Sequence, residues 1–149
     1  MKLNSLVCLK NNHLTPLIDG LEESPALAIS VVNDFSEFQK DFNNYNLNYL
    51  LFLLTGNPEL KEVESRSIRF ILKKLKEYEN IIPIVILPFR WEKGADVDSA
   101  LISANQIVSK SPLSLVLNMN GSMDNPVYDG KSVADVYKIY NEKIQNFLN

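Results

Sequence analysis

The sequence predicts a doubly wound α/β domain, a mostly parallel sheet of about five strands lying between two layers of helices. Short apolar runs rich in β-branched residues alternate with longer segments of helical period. The runs are nearly continuous in apolarity rather than alternating, as strands are when helices cover both faces of a sheet. No linker, repeat or low-complexity tract divides the 149 residues, so residues 1–149 read as one domain of three layers.

The strand candidates are Ser5 to Leu9, Ala26 to Val32, Tyr49 to Leu54, Ile82 to Leu87 and Leu113 to Asn118. Helices are expected at about His13 to Glu22, Ser36 to Asn44, Glu59 to Tyr78, Ala95 to Ser109 and Ser132 to Leu148. The third helix places Ile68, Ile71, Leu72 and Leu75 at i, i+3, i+4 and i+7, with Lys73, Lys74, Lys76 and Glu77 on its other side. Pro58 suits a first-turn position, and Glu59 and Glu62 favour the positive end of the helix dipole. Ser132 follows the turn-like YDGK and reads as the N-cap of the last helix.

A formal charge of −3 with 22% charged residues provides no basic field, which argues against nucleic acid and anionic lipid as partners. No apolar stretch approaches the roughly 18 residues of a membrane span. Met1 leads into a mixed segment, so no signal peptide is expected. The single cysteine, Cys8, forms no internal disulfide and fits a reducing cytoplasm.

In such a sheet, ligands sit beyond the carboxyl ends of the strands. A polyphosphate there needs glycine-rich backbone and a helix N-terminus aimed at the anion. KNNHLT, after the first strand, has no glycine; TGNPELKE, after the third, has one, followed by a proline and two acidic residues. Phosphate binding at these turns is therefore not expected. His13 is the only histidine and has no His or Cys near it in sequence, so no metal site is expected. A Cys8/His13 nucleophile pair lacks an orienting third group, and no catalytic residue is assigned. A phosphorelay receiver needs acidic residues where Lys10, Asn11 and Thr55 stand, and a lysine where Asn118 stands. A flavodoxin needs a hydroxyl- and glycine-rich loop after the first strand, and this is missing too. PFRWEKG is the most distinctive loop: Arg90 and Trp91 combine a cation with an aromatic ring, a pairing common at interfaces.

LLFLLTG and VILPFRWEKG, at similar spacing, resemble the third-strand exit and the TKPFxFEG segment of the FtsZ/tubulin family of cytoskeletal GTPases. AISVVND resembles that family's FIAVNTD, SLVLNMNGSM its TLIVIPNDRL, and SVADVYKIYNEKI the start of its central helix. The resemblance implies a Rossmann-like domain akin to the FtsZ N-terminal domain. It places Asn33, Thr55, Gly56, Asn120 and Glu142 at nucleotide-binding positions. Both phosphate grips of the family are absent, as are its second domain and catalytic acidic loop. What is then implied is a degenerate GTPase linked to cell division or the cytoskeleton, with no cofactor and with GTP or GDP not expected to bind. It would act through a protein partner or self-association, with Phe89, Arg90, Trp91 and Tyr128 as exposed contact residues. The alternative expectation is a small-molecule or guanine-nucleotide binder using a cleft between Asn33, Thr55, Asn120 and Glu142.

Overall fold

The computed structural model describes residues 4–9, 11, 14–45, 47–90, 93–118, 120 and 133–148. Strands β1 (Asn4–Leu9), β2 (Leu27–Val32), β3 (Tyr49–Leu53), β4 (Ile82–Ile86) and β5 (Leu115–Leu117) alternate with helices α1 (Thr15–Glu22), α2 (Phe35–Asp41), α3 (Lys61–Glu77), α4 (Val97–Lys110) and α5 (Val133–Leu148). All neighbouring strands pair parallel, in the order β2-β1-β3-β4-β5. The chain thus winds outward one way from β1 to β2 and the other way from β3 to β5. Its switch point lies between β1 and β3.

The apolar runs are buried on both faces because successive side chains point to opposite sides of a strand. In β1, Val7 packs into one core with Phe38, Phe42, Ile68, Ile71 and Ala104, under α2, α3 and α4. Leu6 and Cys8 pack into the other with Leu17, Leu21, Tyr140 and Ile144, under α1 and α5. The first core is rich in rings: Phe38 meets Phe42 edge-on at 5.4 Å between centroids, Phe35 meets Phe70 at 5.5 Å, and the Lys74 ammonium lies 4.9 Å from the Phe42 centroid.

Pro83 stands inside β4 without costing a ladder bond. The Ile82 amide donates towards the β3 side, to the Asn48 carbonyl, and the Leu87 amide towards the β5 side, to the Leu117 carbonyl. The amide hydrogen that Pro83 lacks would therefore face β5, where pairing begins only at Ile84 with Leu115. At the other edge, Ala28, Ser30 and Val31 of β2 are exposed, which departs from the expectation of strands covered on both faces. The β5 run is also shorter than expected, since it pairs over three residues only and Leu113 is 71% exposed. No helix among the described residues is long and apolar enough to cross a membrane.

Candidate functional site

At the carboxyl edge of the sheet, most exit turns satisfy their own backbone. Asp34, after β2, accepts from the Glu37 amide at 2.7 Å and caps α2. Asp96 accepts from the Ser99 amide at 3.1 Å and caps α4, and the Ser99 hydrogen bonds hold its carboxyl below the usual carboxylate range. Asn57 accepts from the Glu59 amide at the 3₁₀ turn (Pro58–Leu60) that leads into α3.

The β3–α3 turn goes further. The Glu64 carboxylate reaches back from the first turn of its own helix. It accepts from the Thr55 hydroxyl at 2.7 Å, the Gly56 amide at 2.9 Å and the Thr55 amide at 3.1 Å. These donors form the anion-binding concavity such a turn offers, and the chain fills it with its own anion. Gly56 has φ +64°, and a Cβ there would lie 2.0 Å from the Asp96 carbonyl oxygen. Its glycine is required by that close packing of α4's first turn.

Two cavities flank the start of α3. One, about 250 Å³, lies towards α4 and has a polar lining that includes Gly56, Asn57, Lys61, Ser65, Ser99 and Ser103. The other, about 220 Å³, opens at the β1/β3 switch point. Its walls are Leu9, Phe35, Phe52, Leu54, Leu60, Val63, Ile68 and Ile71, with Asn11, Asp34, Glu64 and Ser67 among its polar groups. Leu60 and Val63 remain 46% and 51% exposed.

The residues singled out in the sequence are scattered along this edge. Thr55 and Gly56 meet at the β3–α3 turn, and Gly56 alone of the five nucleotide-binding candidates lines either cavity. Asn33 is exposed after the edge strand, and Glu142 is exposed on α5. Asn120 is buried, and its side chain ties two loops together. Its Oδ1 accepts from the Arg90 amide at 2.7 Å, and its Nδ2 donates to the Pro88 carbonyl at 2.8 Å. Phe89, expected to be exposed, is 2% exposed and meets the Tyr137 ring at 6.1 Å, while Arg90 is exposed. Trp91, Tyr128 and His13 lie outside the described residues. Cys8 is buried in β1, and desolvation pushes its thiol up to about 12, so it supplies no thiolate nucleophile near neutral pH. Among the described residues no cluster of His, Cys, Asp and Glu could hold a metal ion.

The wall of the switch-point cavity went unnoticed in the sequence because Leu9, Phe35 and Val63 look like any core residues. Glu64 gave a faint signal, an acid one turn inside a helix that follows a Thr-Gly turn.

No family model matches the chain, and no curated protein matches it. Among solved structures it is similar to the crystal structure of a Fusobacterium nucleatum flavodoxin bound to flavin mononucleotide, with a TM-score of 0.51 and 11% identity, over 98% of each chain. At that identity the likeness is one of fold. The missing glycine after β1 thus excluded a flavodoxin's phosphate loop but not its architecture. The FtsZ/tubulin resemblance is corrected, and with it the cell-division, cytoskeletal and degenerate-GTPase reading and the protein-contact function built on it. Its quoted segments are strand exits, apolar runs ending in Thr-Gly or Pro-Phe, which any parallel sheet produces. The expectation of no cofactor falls too: it followed from that family's lost phosphate motifs, whereas the structure this chain matches end to end holds a flavin. The chain has a three-layer, Rossmann-like α/β architecture of the flavodoxin-like kind, five parallel strands flanked by helices.

Proposed function

We propose that this protein binds a small, flat, largely apolar ligand of the flavin class in the cavity at the β1/β3 switch point. The observation that carries the reading is the cavity itself: an apolar pocket at the place where doubly wound sheets of this strand order take their ligands. The fold's likeness to a flavodoxin holding flavin mononucleotide supports the choice of ligand class.

The fit is of two kinds. Leu9, Phe35, Leu54, Leu60, Val63 and Ile68 suit a planar ring, and Asn11 and Ser67 offer polar groups to orient it. The described exit turns do not suit a phosphate, since the amides after β3 already hold Glu64. A bound flavin would supply electron or hydride transfer; the chain's own residues would hold the ring and keep water from one of its faces. A cytoplasmic setting accords with the lone, buried Cys8.

Quenching of flavin fluorescence on titration with the protein tests the reading, with guanosine and GDP followed in parallel by calorimetry. Saturable flavin binding in the micromolar range is expected, with the guanine compounds much weaker. Flavin fluorescence unchanged up to millimolar protein would overturn it.

A further inference from the structure

We infer that the ligand of the switch-point cavity carries a phosphate-bearing tail, and that this tail lies in the groove between α2 and α3 against Arg66, Arg69 and Lys73. The inference rests on the flavin reading above. The groove, about 600 Å³, shares Asp34, Phe35 and Val63 with the cavity, so the two are continuous. Val63 stands at the junction. Arg66 and Arg69 follow it about 4.5 and about 9 Å along the helix axis, within reach of a short chain leaving a ring in the cavity.

The charge distribution points the same way. Between Ser65 and Lys76, α3 carries five of the chain's fifteen lysines and arginines and no acid, in a protein of net charge −3. The helix dipole accounts for cations in the last turn, Lys74 and Lys76, but its effect does not extend to Arg66 and Arg69 in the middle. Lys74 is engaged by Glu77 at 3.3 Å and by the rings of Phe42, Phe70 and Tyr78. Arg66, Arg69 and Lys73 are exposed, and among the described residues none has an ion pair, even though Glu62 stands four residues before Arg66. Asp34, at the junction, has its carboxylate turned to the Glu37 amide.

The neighbouring places where an anion would otherwise go are closed. Glu64 fills the β3–α3 turn, Asp34 caps α2 and Asp96 caps α4. The inside of the cavity is apolar with an acidic rim, and the groove leading from it is basic. An apolar ring with an anionic tail matches that gradient, and the guanidinium fork of each arginine suits phosphate oxygens.

Riboflavin and flavin mononucleotide, which share the ring and differ by the phosphate, are the probes. The wild type should bind the phosphorylated form about ten-fold more tightly at low salt, with the gap closing at high salt. The R66Q/R69Q/K73Q variant should bring the phosphorylated form down to the affinity of riboflavin and leave riboflavin binding unchanged. Equal affinities in the wild type, or a gap that survives in the variant, would overturn the phosphate groove and leave the ring pocket standing. Binding of neither compound would overturn both.

Discussion

The two sides of α3's first turns solve opposite problems. Towards α4, every feature is filled from within: Glu64 occupies the amides of the β3–α3 turn, and Gly56 is pressed against the Asp96 carbonyl. Towards α2, Leu9, Phe35, Leu54 and Val63 enclose a space that no side chain of the described residues fills. Burying apolar surface favours closing such a space, and leaving Leu60 and Val63 about half exposed at its mouth forgoes that gain. The polar side contributes stability, and the apolar side leaves a surface for a ligand. Substitutions on the first should therefore alter folding, and substitutions on the second should alter binding.

The largest effect is expected at Gly56. Any Cβ there meets the backbone oxygen of Asp96 at 2.0 Å and requires a side chain at φ +64°. A left-handed residue costs about 1–2 kcal/mol and overpacking a similar amount, so Gly56→Ala should lose about 3 kcal/mol in urea unfolding. Gly94 is the internal control. Its φ is +82°, but a Cβ would meet only the flexible Asn57 side chain, at 2.8 Å. Gly94→Ala should lose about 1 kcal/mol, the conformational cost alone. Equal losses at the two glycines would mean that contact with α4 is not what demands Gly56.

Glu64→Ala comes next. It leaves the Thr55 and Gly56 amides and the Thr55 hydroxyl without the acceptor they share. Part-buried donors stripped of a partner cost about 2 kcal/mol, whereas Glu64→Gln keeps one acceptor oxygen and should lose less. The emptied turn should then take an anion from solution, so phosphate should restore more stability to Glu64→Ala than it adds to the wild type. A variant as stable as the wild type, and no more responsive to phosphate, would show that the turn does not depend on its internal carboxylate.

How far these features were legible follows from their range along the chain. Strands and helices are local: the apolar runs and the 3.6-residue period of Ile68, Ile71 and Leu75 are present in any short window, and both core faces follow from them. Even the Asp34 cap stands three residues from the amide it holds. Glu64 bonds eight and nine residues back, beyond the short spacings of helix-cap signatures, so it read as one more solvated acid. The pocket is less local still. Leu9 and Val63 become neighbours only because β1 and β3 pair in the middle of the sheet, and an apolar residue lining a cavity looks the same in sequence as one filling a core. Asn120 misled for a related reason. A polar residue after a strand reads as ligand-facing, but its buried amide joins the Arg90 and Pro88 backbone to the end of β5.

The smallest effect on stability, and the sharpest on binding, is expected at Val63. It is 51% exposed at the mouth shared by cavity and groove, so replacing it removes little packing, and surface changes of this kind stay within about 0.5 kcal/mol. An indole at that position would lie across the opening. Val63→Trp should therefore unfold in urea at nearly the wild-type midpoint while weakening flavin binding about ten-fold or more, the reverse of Gly56→Ala measured under ligand-saturated conditions. Unchanged flavin affinity in a stably folded Val63→Trp would place the ligand elsewhere on the molecule. The contrast between a self-satisfied turn and an unfilled pocket would then describe packing alone.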